Sequence, residues 1–421
     1  MIEKDRHPCF NPGSCAENGR IHLPVAKRCN VQCNFCNRKY DCVNESRPGV
    51  SSHLLSPGQA LAYYLEAKKR MPFLSVVGIA GPGDPFANPG ETMETLSLIR
   101  EADPEVLLCV ATNGLNLLPY VDRLAELEVS HVTVTVNAVD PEISSRIYSW
   151  VRHDRRVYHR KEGAAVLLEN QREAVKKLKA HNLIVKINSI ILPGINEHHI
   201  PKVAEEMAGL GVDYHNCLPY CPTPGSVFED MKEPDEQMVR TLRGSSGRVL
   251  PQMEHCRRCR ADSAGFLKED RFLEMEGLMN SLSRGPLNPF DERKAVAVAS
   301  QEGFLVNQHL GEAASLLVYA PDIQGRYTFL EERITPAAGG GEDRWNRLGN
   351  LLEDCHSLLV SGAGETPRRK LEKQGLRIYE LEGMIDRALD ILMENGDLGE
   401  MTRRDCTSCG TSCSGTAMGC L

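Results

Sequence analysis

Apolar, β-branched runs alternate with amphipathic segments of helix length over the first half of the chain. The runs at 21–26, 74–79, 106–110, 131–136, 184–191 and 212–216 read as strands. Helical stretches follow at 90–102, 119–127, 141–150, 164–181 and 197–210. One more opens at Ser56-Pro57, an N-cap followed by proline at the first helical position. Strand-then-helix units in series predict an α/β fold with a parallel sheet, here a partial (β/α)6 barrel. Ligands in such folds sit at the C-terminal ends of the strands. Residues 222–290 are less periodic. A second α/β pattern begins near Lys294, with strands at 295–299, 315–319, 326–332, 357–361 and 377–380 and helices at 345–355, 366–374 and 384–394. Gly339-Gly340-Gly341 is a loop within it. The segment after Gly399 is rich in Cys, Ser, Thr and Gly and has no core-forming pattern. Three parts are therefore expected, 1–290, 291–400 and 401–421.

Composition narrows the class. Of 421 residues, 41% are hydrophobic and 25% charged, as in an ordinary globular protein with a sizeable core. A net charge of −8 carries no nucleic-acid footprint. No apolar run is long enough to span a bilayer, and residues 1–9 lack the apolar run of a signal peptide. The expectation is a cytoplasmic protein without membrane or nucleic-acid partners. In a reducing compartment, 16 cysteines point to metal or redox chemistry rather than disulfides. They cluster at 9–42, at 256 and 259, and within the last sixteen residues.

Cys29-x3-Cys33-x2-Cys36 directly follows the first predicted strand. Three thiolates can ligate three irons of a [4Fe–4S] cluster and leave the fourth open to a chelating small molecule. Three structural or zinc-binding cysteines are the plainer alternative. The spacing, the place after the first strand and the aromatic Phe35 resemble the radical S-adenosylmethionine (SAM) superfamily. That resemblance implies that SAM chelates the open iron and is cleaved by one electron to a 5′-deoxyadenosyl radical. It further implies SAM contacts at the ends of later strands. These are Gly81, Gly83 and Asp84 in the Gly81-Pro82-Gly83-Asp84 turn, Thr135 and Asn137, and Ile191 ahead of Gly194-x-x-Glu197. Each of these motifs alone is equally an ordinary turn or strand end.

His7-Pro8-Cys9, His22, the triad and the block from Cys36 to Gly49 closely resemble the NifB family of nitrogenase cofactor assembly. The resemblance covers 7–290. It implies a radical SAM enzyme that fuses two further [4Fe–4S] clusters. A SAM methyl passes to a cluster sulfide, a second SAM abstracts hydrogen from it, the carbon becomes the central carbide, and an added sulfur completes an [8Fe–9S–C] precursor. By position, His22, Cys42 and Cys109 would hold one substrate cluster, and Cys9, Cys256 and Cys259 the other. Glu45 and Arg47 belong to the same family motif as catalytic candidates, with Glu45 a proton handler near the methyl or else a member of a surface ion pair. Residues 294–395 resemble the NifX/NafY type of precursor-binding domain, an RNase H-like fold, through strand order and Asn307-Gln308-His309-x-Gly311. Implied partners are cluster donors and acceptors of nitrogenase cofactor assembly and an electron donor such as ferredoxin or flavodoxin.

Cys406, Cys409, Cys413 and Cys420 depart from these patterns and can hold a cluster, hold zinc, or act as a redox-active tail. Cys217 reads as core; Cys15, Cys221 and His309 have no assigned role. Two other functions remain open on the residues alone: a peptide-modifying radical SAM enzyme with auxiliary clusters, and a non-enzymatic iron–sulfur scaffold or carrier.

Overall fold

The computed structural model describes residues 4–44, 53–253, 256, 259–285, 293–322, 326–337, 341–394 and 398–401. The chain divides into two compact units, Met1–Ser283 and Arg284–Leu421.

Among its described residues the first unit contains ten strands: β1 Gly19–His22, β2 Val31–Cys33, β3 Leu74–Ile79, β4 Leu107–Thr112, β5 Val129–Thr135, β6 Tyr148–His153, β7 Arg156–His159, β8 Ile184–Ile191, β9 Tyr214–Pro219 and β10 Ala264–Gly265. Its helices are α1 Pro57–Arg70, α2 Pro89–Ala102, α3 Val121–Glu126, α4 Pro141–Ile147, α5 Arg160–Ala180, α6 Ile200–Gly209, α7 Glu236–Ser246 and α8, which begins at Phe272. Strands β1, β3, β4, β5, β8 and β9 lie side by side in parallel, and β10 adds an antiparallel edge on β1. The partial barrel expected from the alternating pattern is present. Helix α1 starts where Ser56-Pro57 places it, under a capping box in which Ser56 and Gln59 exchange side-chain and backbone hydrogen bonds. Apolar residues of β3, β4, β5 and β8 meet α1, α2, α3 and α5 in one large core. Burying that apolar area, at about 25 cal/mol per Å2, is what fixes the sheet behind the site.

A smaller sheet was not foreseen. β2, β6 and β7 form an antiparallel three-stranded sheet, and the predicted helix at 141–150 stops at Ile147. The β6–β7 hairpin turns on Asp154 and Arg155, both at positive φ. A two-residue turn of this kind usually announces itself by Asn-Gly or Asp-Gly, and neither is here.

The second unit has strands β11 Ala295–Val298, β12 Leu305–Val306, β13 Ser315–Pro321, β14 Tyr327–Ile334, β15 Cys355–Val360, β16 Arg377–Glu380 and β17 Gly383–Met384. Its helices include α9 Gly341–Leu351, α10 Glu365–Lys373 and α11 Ile385–Met393. The main sheet runs β14-β13-β11-β15-β16, mixed in direction. Cys355 is buried in this unit's core. Among the described residues, no helix of the chain is long and apolar enough to cross a membrane.

Candidate active site

Alternation along β1 sends Arg20 and His22 to one face of the strand. His22 registers with Gly78 on β3, and Gly78 with Cys109 on β4. The missing side chain at Gly78 lets imidazole and thiol meet. A Cβ there would stand 2.9 Å from His22 Cδ2 and 3.0 Å from Cys109 Sγ. His22 Nδ1 lies 2.9 Å from the Arg260 carbonyl oxygen, which can only accept, so Nδ1 carries the proton and Nε2 keeps its lone pair. A histidine that binds metal is held in the same way. Burial, reinforced by Arg20, pushes the His22 pKa down to about 4, which keeps the ring neutral.

His22 and Cys109 open into a cavity that Cys9, Cys256 and Cys259 also line. Burial pushes the Cys9 thiol well up, with Cys259 adding to the rise and Lys186 opposing it. A set of thiols in a low-dielectric pocket favours its neutral form until a cation is present, and bound iron reverses that preference.

Cys29, Cys33 and Cys36 surround an adjoining cavity with Cys42, Asn44, Gly83, Asp84 and Thr135. Burial raises the Cys29 thiol to about 11, with Asp84 adding to it, and raises Cys33 as well. Amide groups face the sulfurs. Asn44 Nδ2 stands 3.7 Å from both Cys33 Sγ and Cys42 Sγ, and Asn113 Nδ2 stands 3.8 Å from Cys29 Sγ. Three thiols, two of them with an amide N–H group at the sulfur, suit a [4Fe–4S] cluster held by three cysteines. Gly83 closes the site from below: its N–H donates to the Ala26 carbonyl at 2.6 Å, and a Cβ would run into the Arg28 carbonyl. Ala111 lines both cavities, which places them side by side.

The other expected residues fall as follows. Thr135 faces the triad cavity. Asp84 is buried there but fully engaged: Thr112 Oγ1, the Asn113 N–H and the Phe86 N–H all donate to its carboxylate. Burial raises its pKa and these donors oppose the rise. Asn137 is committed too, donating to Asn44 Oδ1 and Tyr148 Oη and accepting from the Ile190 N–H. Gly81 precedes the turn with φ of 142°. The Ile191 side chain packs away from both cavities, against Ile200, Cys217 and Leu242, while Ile190 packs in the cluster that includes Cys33 and Cys36. Cys42 lines the triad cavity rather than the one holding His22 and Cys109. Cys217 sits in the core, as its pattern suggests. Cys15 Sγ bonds the Pro8 carbonyl, and exposed His309 accepts from the Gly311 N–H at Nδ1. Glu45, Arg47 and the cysteines from Cys406 to Cys420 lie outside the described residues.

Sequence reading missed Arg20. It is 2% exposed, and its guanidinium donates to Cys259 Sγ at 3.3 Å, to the Gly265 and Phe266 carbonyls, and to Asp270. The signal was available: a charged residue two positions before His22 on a strand shares its inward face. A guanidinium on a thiolate stabilises negative charge at that ligand. Asn216, Lys186 and His7 also line this cavity.

Comparison with known proteins agrees with this geometry. The Radical SAM superfamily profile matches residues 23–207, and that of the dinitrogenase iron-molybdenum cofactor family matches 292–395. The cluster-and-SAM site thus defines a radical SAM enzyme, which uses a [4Fe–4S] cluster and SAM. The FeMo cofactor biosynthesis protein NifB of Chlorobaculum tepidum is 50% identical over 416 residues, covering 98% of each chain. Its namesake in Klebsiella pneumoniae is 40% identical, covering 88% of this chain and 86% of the relative. With its two profile matches and its cysteines at one pair of cavities, the chain belongs to the NifB family of FeMo cofactor biosynthesis proteins. Among solved structures, methylornithine synthase aligns with a TM-score of 0.37 at 15% identity, over 54% of this chain and 62% of that one.

Proposed function

We propose that this enzyme fuses two [4Fe–4S] substrate clusters, inserts a SAM-derived carbon and takes up one added sulfur, giving the [8Fe–9S–C] precursor of the nitrogenase iron–molybdenum cofactor. Bound at the triad, the resident cluster and SAM supply a methyl group and a hydrogen-abstracting radical. In this reading Cys29, Cys33 and Cys36 hold the resident cluster, and Asn44 and Asn113 direct N–H groups at its thiolates. Gly81, Gly83, Asp84, Thr135, Asn137 and Ile191 form the SAM surroundings. Asp84 and Asn137, both saturated with hydrogen bonds, act by shaping the wall, and Ile191 acts through its backbone.

His22, Cys109, Cys9, Cys256 and Cys259 bind the substrate clusters, with Cys42 reaching from the triad cavity. Glu45 handles protons at the methyl carbon, and Arg47, from the same motif, supplies positive charge beside it. The observation that carries the reading is the shared wall at Ala111: a thiol- and imidazole-lined cavity opens beside the three-cysteine site. Chemistry begun at one site therefore has its acceptor within reach. The residues of the second unit receive the product, and an acidic one-electron carrier such as ferredoxin or flavodoxin reduces the triad cluster. Cys406, Cys409, Cys413 and Cys420 form a further iron–sulfur site.

The test is anaerobic turnover with SAM and a reductant. The reading requires both S-adenosylhomocysteine and 5′-deoxyadenosine, together with an iron–sulfur product that matures cofactor-free nitrogenase. Formation of neither nucleoside would leave only a scaffold or carrier.

A further inference from the structure

Two polar side chains in the substrate cavity carry buried N–H groups without a hydrogen-bond partner. His7 is 2% exposed and Asn216 1%. His7 is wedged edge-on against Phe10 and His131, with ring centroids 4.7 and 4.4 Å away. Its Nδ1 accepts the Cys9 backbone N–H at 3.2 Å. The ring proton is therefore on Nε2, and Nε2 is buried without a hydrogen bond. Asn216 projects from β9, with neither its Nδ2 nor its Oδ1 bonded. Both residues line the cavity of Cys9, Cys109, Cys256 and Cys259. An unpaired buried donor costs about 1–3 kcal/mol, and folded proteins rarely leave one without a reason. Two in one thiol-lined cavity call for an acceptor-rich ligand.

We infer that the His7 Nε2–H and the Asn216 amide N–H are hydrogen-bond donors to the inorganic sulfides of the substrate cluster. The inference deepens the proposed function and rests on it. Thiolate ligands fix the irons but offer nothing to the sulfides on the far side of a cluster. N–H groups supply that contact, and the rigid ring stack and the β9 backbone pre-position them. Hydrogen bonds to cluster sulfurs favour the reduced, more negative state and so raise the reduction potential. His7 and Asn216 are positioning residues in this account. They hold the substrate in orientation and ease its reduction.

The experiment uses the full chain carrying Cys29→Ala, Cys33→Ala and Cys36→Ala together with Cys406→Ser, Cys409→Ser, Cys413→Ser and Cys420→Ser, so that only substrate clusters report. Into this parent go His7→Phe and Asn216→Leu, which remove the donors, and His7→Gln and Asn216→Ser, which keep one. Each protein is reconstituted anaerobically, its iron is counted, and its clusters are titrated potentiometrically with EPR detection. The inference expects more negative midpoint potentials in the Phe and Leu variants and recovery toward the parent value in the Gln and Ser variants. Iron lost in the first pair and regained in the second supports it equally.

An unchanged potential with iron retained overturns the inference alone and leaves the two groups to trapped water. Iron lost in all four variants also overturns it, since packing alone would explain that. A parent protein that binds no iron overturns the proposed function together with this inference.

Discussion

At Gly78 the absence of a side chain decides whether His22 and Cys109 can share a ligand. Gly78→Ala puts a methyl at 2.9 Å from the ring and 3.0 Å from the sulfur, both tighter than ordinary contact. The expected result is a fall of about tenfold or more in S-adenosylhomocysteine yield, equivalent to about 1.4 kcal/mol. The triad cluster's absorbance should be kept, and iron analysis with product chromatography checks both. The residue scale also shows what the sequence could convey. Cys29, Cys33 and Cys36 were legible because three cysteines at that spacing have few other uses. His22 and Cys109 were assigned only through family likeness, since 87 positions separate them and only strand register unites them. Arg20 was readable from strand alternation but passed over, His7 stood in the motif without a role of its own, and Asn216 carried no signal because its meaning lies in what it fails to bond. Ile191 shows a half-readable case: its strand was right, but alternation turns the neighbouring Ile190 inward.

Among the elements, the parallel strands followed from apolar runs and came within a few residues of expectation. The β2–β6–β7 sheet did not, because its turn residues Asp154 and Arg155 carry no hairpin signature and its partner strand is only three residues long. That sheet matters because Cys33 lies on β2. Ile147, fully buried at the junction of α4 and β6, packs in the cluster that includes Cys33 and Cys36. Ile147→Ala should cost about 2–5 kcal/mol and release triad iron faster than substrate iron, as timed chelation would show. Strand β9 offers a pH test. His215 is fully buried, its Nε2 is 3.0 Å from Ser189 Oγ, and burial lowers its pKa to about 4. The unfolded ring titrates near 6.5, so as pH falls below that value the unfolded state takes up the proton first. His215 thus contributes full stability above about pH 6.5, and that contribution drains away between pH 6.5 and 4, by about 3 kcal/mol in all. Denaturant titrations at pH 7 and 4.5 should show a smaller acid loss in His215→Gln than in the parent.

On the scale of the whole molecule, the division at Ser283 and Arg284 leaves every described candidate ligand in the first unit. Deleting 290–421 should therefore preserve SAM cleavage and carbide formation while slowing product transfer, because a tethered acceptor raises local concentration. Equal transfer rates with and without that segment, measured by nitrogenase maturation, would count against the role. The second α/β pattern was readable from periodicity alone, whereas its use was not, because a precursor-binding face need not differ in hydrophobic pattern from any other. The central claim is that two adjoining cavities divide the work, one generating the reactive group and one holding the substrate. Iron content and SAM products measured side by side in Cys33→Ala and Cys256→Ala test it most directly. The account predicts that Cys33→Ala loses both 5′-deoxyadenosine and S-adenosylhomocysteine while keeping substrate iron. Cys256→Ala should keep the triad cluster yet form no S-adenosylhomocysteine. Full 5′-deoxyadenosine formation by Cys33→Ala, or normal S-adenosylhomocysteine from Cys256→Ala, would contradict it.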